Sequence, residues 1–177
     1  MKYVLSVFIL GTAFALHSEN FTLSSTSFKN AGEIPAKFAM KKIAGGINVS
    51  PQLSWKGIPE GTKSLAITCI DLHPVAKSWV HWMVVNIPTN KDSLPEGASG
   101  GKMPKGTIEL ENSFGDIGWG GPQPPPGTGK HEYLLMVYAL NIEKVNTGTT
   151  SLTEKEFLNV IKGNILAKAE IRGYFSR

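Results

Sequence analysis

Three short runs are apolar at almost every position: Ser64–Asp71 (SLAITCID), His81–Pro88 (HWMVVNIP) and Tyr133–Ile142 (YLLMVYALNI). Runs of this length, bounded by turn residues and rich in β-branched and aromatic side chains, read as strands. Apolarity without alternation means burial on both faces of a sheet. Between them lie the loops LHPVAKSWV, TNKDSLPEGASGGKMPKG and GWGGPQPPPGTGK. Strand signals recurring between turn signals argue for an antiparallel β-sandwich or barrel-like domain.

Other parts of the chain fit the same picture. Thr153 and Glu156 form a capping box, and Phe157, Val160 and Ile161 follow as an apolar stripe, predicting a helix that Gly163 ends. After it, Ile165, Ala167, Ala169, Ile171, Gly173 and Phe175 alternate with mostly polar residues, predicting a half-buried final strand. No repeat or second-domain boundary is visible, and 177 residues suffice to bury a core without a disulfide. The single cysteine, Cys69, lies inside the first apolar run and reads as a small core residue.

The first residues, MKYVLSVFILGTAFA, carry one lysine, an apolar stretch and Ala13-Phe14-Ala15. This is the layout of a secretory signal peptide cleaved after Ala15. It predicts a single mature domain over residues 16–177 in the periplasm or outside the cell. The formal charge of +4 is spread over scattered lysines. Without a basic stripe interleaved with aromatics, nucleic acid is not an expected partner, and mild attraction to anions is all the charge supports.

The segment Gly118–Tyr133 holds five glycines and four prolines around one histidine. A flexible linker needs no such proline content, and a hairpin needs only two to five loop residues. The composition predicts a shaped loop, with rigid proline walls and glycines where the backbone turns or approaches something closely. Polar residues at strand ends suggest what it surrounds. Strand parity places His81 on the face of Met83 and Val85, Tyr133 with Leu135 and Val137, and Asp71 at the end of the row Leu65, Ile67, Cys69. Polar groups ending inward-facing apolar rows line the mouth of a core pocket, or else satisfy one another. His73, His81, His131 and Asp71 match no tight metal spacing, and Ser78 and Ser113 lie in no nucleophile elbow. A metal-assisted hydrolase is therefore the weakest reading.

Three segments together resemble the phosphatidylethanolamine-binding protein family, in particular its bacterial Raf-kinase-inhibitor-like branch. NVSPQLSW (48–55) resembles that family's Asn-x-Ser-Pro-x-Leu-x-Trp entry motif. DLHPVAKSWVHWMVVNIP (71–88) is similar to its Asp-Pro-Asp-Ala-Pro box followed by Trp-x-His, and NSFGDIGWGGPQPPPGTGKHEYLLMVYAL (112–140) to its Gly-Pro-x-Pro-Pro loop ending in His-Arg-Tyr. The resemblance runs in order from about Phe21 to Arg177.

It implies an antiparallel β-sandwich with a few peripheral helices and a small pocket for a phosphoryl or similar anion. By position it implies ligand-binding roles for Asp71, Trp79, His81, Pro124, Pro125, His131 and Tyr133, with no cofactor and no metal. His131 is expected at the rim, so that its loss would affect binding more than folding, and backbone N–H groups near Gly127 and Gly129 are expected to add donors. The implied partner is a phosphate-bearing small molecule or lipid head group bound without catalysis. The alternative is a protein partner, a protease or kinase restrained by this chain, and a homodimer stays open. Leu72, His73 and Glu132 depart from the family's proline, aspartate and arginine.

Overall fold

The computed structural model describes residues 21–177, and the signal-peptide reading and His17 fall outside the described residues. Among the described residues there are nine strands: β1 (Thr22–Ser24), β2 (Gly32–Glu33), β3 (Leu53–Lys56), β4 (Ser64–Asp71), β5 (Trp79–Ile87), β6 (Ser93–Leu94), β7 (Ile108–Glu109), β8 (Lys130–Leu140) and β9 (Ile165–Ser176). One α-helix, α1 (Glu154–Ile161), lies between β8 and β9. A small sheet has the order β1-β3-β6 and a large one β2-β9-β8-β4-β5-β7. All pairings are antiparallel except the two-residue parallel contact of β2 with β9. The chain is thus mainly β, a sandwich of two sheets with one α-helix near its C-terminus.

The apolar runs become the middle of the large sheet, where both faces are covered. Every residue of β4 is buried. On one side Leu65, Ile67 and Cys69 pack with Trp82, Leu135 and Val137 against Leu53, Trp55 and Leu94 of the small sheet. On the other, Ala66, Ile70, Met83, Val85 and Tyr138 pack against Phe157 and Ile161 of α1. Burying each of these two helix side chains is worth about 1.5–3 kcal/mol. The helix begins as expected, with Thr153 Oγ1 accepting from Glu156 N and Glu156 Oε2 accepting from Thr153 N. Its end differs. After Ile161 the chain tightens into a 3₁₀ turn, Lys162–Asn164, so Gly163 lies inside that turn instead of terminating the helix. Asn164 O accepts from Asn141 N, which ties this turn to the end of β8.

Strand parity holds along β4 and fails in β5. Cys69 pairs with Trp82 but Ile70 with Val80, leaving His81 as the extra residue of a β-bulge. His81 and Trp82 therefore both face the inter-sheet side, while Met83 and Val85 join the core under α1. His81 does not share their face, which corrects the expectation from parity.

Candidate functional site

At the end of the large sheet where β4 finishes and β8 begins, Asp71 and Tyr133 are direct cross-strand neighbours, and Asp71 also pairs with Trp79. Pairing thus gathers residues far apart in the sequence beside one half-enclosed hollow of about 370 Å³. Asp71, Trp79, His81, Pro124, Pro125 and His131 all line it. Tyr133 does not; it lies fully buried behind His81, the two rings edge to face at 5.0 Å. Two wider depressions, of about 730 and 850 Å³, contain no histidine.

His131 is the second residue of β8, carried by a strand instead of a loop rim. It is 1% exposed, and both ring nitrogens are engaged. Nδ1 lies 2.6 Å from Asp71 Oδ2, and Nε2 lies 2.8 Å from Thr128 Oγ1. Thr128 reaches back because Gly127 and Gly129 on either side adopt φ of +78° and +86°, a left-handed conformation open to glycine. These glycines shape the turn and do not line the hollow. The Thr128 hydroxyl also lies 2.7 Å from Pro125 O. It has one proton, so it either donates to Pro125 and accepts from His131 Nε2–H, or donates to a bare Nε2.

His81 is held differently. Its Nδ1 lies 2.5 Å from Gly120 O, and among the described residues no hydrogen bond reaches Nε2. Burial lowers its pKa to about 4, against the opposing pull of the Gly120 carbonyl and the Asp71 charge. The loop glycines explain that carbonyl's position. A Cβ on Gly121 would stand 2.0 Å from Phe38 O, so only glycine lets the loop press this closely on the Phe38–Ala39 backbone. Gly121 N donates to Asn48 Oδ1, fixing the same segment from the other side. Burial, and then the Asp71 charge, raise the pKa of Tyr133.

The departures from the family pattern have definite places. His73 N donates to Asp71 Oδ1, and the His73 ring stacks on His131 with centroids 3.9 Å apart and planes 16° from parallel. Lys77 and Ser78, with φ of +51° and +59°, turn the loop sharply before Trp79. Glu132 pairs with Arg172 of β9 and does not line the hollow. Among the described residues, no group of three or more His, Cys, Asp or Glu is placed to hold a metal. Neither Ser78 nor Ser113 lines the hollow, and Ser113 Oγ instead accepts from Val80 N.

Sequence reasoning missed Lys42 at the mouth, Val75, Ala76, Phe114 and Gln123. Phe114 sets its ring against both Trp79 and His81, at 5.3 and 5.6 Å. It stands within NSFGDIGWGG, where the motif was visible but the side chain's direction was not. Lys42 carried no local signal.

Known proteins share this arrangement of chain. The phosphatidylethanolamine-binding protein family pattern matches residues 24–176. The UPF0098 protein of Methanothermobacter thermautotrophicus is 33% identical over 156 residues, 88% of this chain and 98% of that one. The UPF0098 protein YbcL of Escherichia coli is 35% identical, with 84% of each chain covered. The YbcL crystal structure, described as a new member of the mammalian PEBP family, superposes with a TM-score of 0.81 at 34% identity, covering 89% of this chain and 98% of that one. A phosphatidylethanolamine-binding protein homologue from Chlamydia trachomatis gives 0.74 at 28% identity, covering 89% and 97%. With matching sequence over nearly the whole described chain and the same sandwich, this chain belongs to the phosphatidylethanolamine-binding protein family.

Proposed function

We propose that the chain binds a small phosphoryl-bearing ligand or head group in the hollow at Asp71, His81 and His131, without chemical turnover. One observation carries this reading: a half-enclosed hollow of about 370 Å³ brings two imidazoles, a carboxylate and the Lys42 side chain together behind the walls Pro124 and Pro125. Proline walls are ordered before a ligand arrives, so less entropy is lost on docking. The test is titration with inorganic phosphate, followed through the ring resonances of His81 and His131. Saturable shifts at millimolar phosphate are expected; unmoved resonances end the proposal. Export belongs to the same proposal and is supported by the Met1–Ala15 pattern. Recovery from the medium or periplasm with cleavage after Ala15, read by mass, is the expected result.

A second reading is favoured by a separate observation. Val75 and Trp79, 54% and 38% exposed, both line the hollow, and Leu72 at the start of the same loop is 39% exposed. An apolar rim of this kind suits a protein partner, such as a restrained protease or kinase. Inhibition that survives saturating phosphate but is lost in Val75→Glu would favour this reading over the first.

A further inference from the structure

The hydrogen bond from His81 to Gly120 fixes more than a ring orientation. A carbonyl oxygen only accepts, so the proton on His81 sits at Nδ1. In the neutral ring, Nε2 then carries a bare lone pair, and among the described residues no group donates to it, the Gly121 backbone beside the ring offering only a carbonyl acceptor. The groups around it do not change this. Asp71 is occupied by His131 Nδ1 and His73 N. Tyr133 meets the His81 ring edge to face, and its phenol is held protonated by burial. Phe114 packs T-shaped against the ring and has no polar atom to offer, and Lys42 lines the hollow. His131 has both of its nitrogens engaged. Burial keeps His81 neutral near pH 7, its pKa lowered to about 4.

An anion seated against this lone pair meets repulsion unless it brings a proton of its own. Sulfate and monohydrogen phosphate have the same charge and nearly the same size and shape. Only the phosphate carries an O–H at neutral pH. Resting on the phosphoryl-binding reading above, we propose that His81 Nε2 is a specificity-determining acceptor, so that the hollow takes phosphoryl groups bearing a P–OH and rejects sulfate and phosphodiesters. The ligand class is thereby narrowed to inorganic phosphate or a protonated phosphate monoester. The intact diester of a phospholipid is disfavoured.

Four probes on the full chain test this, each titrated against the His81 ring resonances at neutral pH: inorganic phosphate, sulfate, methyl phosphate, and dimethyl phosphate as the diester. Phosphate is expected to bind at least tenfold more tightly than sulfate or dimethyl phosphate. Methyl phosphate loses its second proton near pH 6, so its affinity should fall about tenfold per unit above that. Inorganic phosphate keeps a P–OH throughout, so its affinity should stay nearly level between about pH 6 and pH 8. Any sulfate binding should be accompanied by uptake of one proton, seen as a buffer-dependent heat. Sulfate binding as tightly as phosphate without proton uptake overturns the inference while leaving the phosphoryl reading standing. Tight dimethyl phosphate binding also overturns it and points to the lipid head group. Binding of none of the four removes both. In His81→Gln, whose amide offers donors, the preference for phosphate over sulfate should collapse. If that variant does not fold, the wild-type probe series still decides.

Discussion

Asp71 and His131, sixty residues apart in sequence, meet at 2.6 Å between Oδ2 and Nδ1 with both side chains almost wholly buried. Asp71 ends β4 and His131 lies near the start of β8, so the register of two antiparallel strands makes the contact. Removing either partner leaves a buried polar group without its complement. Asp71→Ala and His131→Ala are each expected to lower folding stability by about 3–5 kcal/mol, the range for breaking a buried pair from one side. The double variant should lose less than the sum of the two, measured by urea denaturation. Strict additivity would show that the pair is not coupled. Losses of that size would make His131 structural as well as a lining group, contrary to the expectation of a rim residue whose loss spares the fold.

His81 predicts a pH dependence of stability. Its pKa is 6.5 in the unfolded reference and falls to about 4 in the fold, chiefly through burial. Between these values the unfolded chain takes up a proton that the folded chain refuses. The contribution is therefore whole above pH 6.5 and is lost as pH falls toward 4, by about 3 kcal/mol in total. Carboxylates titrate in the same range, so the readout is the difference between wild type and His81→Gln across urea titrations. A variant with an unchanged slope would show that His81 is not held neutral.

Gly121→Ala should be far more damaging than Gly127→Ala. At Gly121 a methyl group would stand 2.0 Å from the Phe38 carbonyl, and the loop that seats Gly120 under His81 must move. A loss of about 2–3 kcal/mol is expected, as for overpacking. At Gly127 nothing lies within 4 Å, and only the φ of +78° opposes a side chain, so about 1 kcal/mol is expected. Thermal or urea unfolding separates the two, and equal losses would contradict the close approach at Gly121.

Cys69 should be inert in the native protein. It is fully buried, and burial, with the Asp71 charge adding to it, pushes its pKa upward. The nucleophile is the thiolate, so a disulfide reagent at mildly alkaline pH is expected to label it only as the chain unfolds. The labelling rate should rise with urea alongside the unfolding rate; prompt labelling without denaturant would contradict this burial.

What could be read along the chain was whatever short-range chemistry dictates. Apolarity without alternation in SLAITCID predicted two-sided burial because a strand with no polar face has nowhere else to go, and every residue of β4 is buried. The Thr153–Glu156 box marked the start of α1, because a cap is made within one turn. The end of that helix was less legible, since Gly163 ended up inside a 3₁₀ turn tied to β8. Among the site residues, Asp71, Trp79, His81, Pro124, Pro125, His131 and Tyr133 were identified through motif resemblance. Six of them line the hollow, and Tyr133 stands behind it.

The sequence by itself determined the buried central strands and the capped start of the helix, because each rests on spacing that a few neighbours enforce; the site residues it named came through the family resemblance. Tertiary structure alone decided which way they face. The bulge at His81 exists only where Val80 and Trp82 meet Ile70 and Cys69 on the paired strand, and it turned that ring away from Met83 and Val85. The cover over His131 likewise depends on Thr128 folding back to it, and the arrival of Lys42 and Phe114 depends on loops that pack only once the sheets have closed. Side-chain direction in a strand is local until the register breaks. Where it breaks depends on the partner strand.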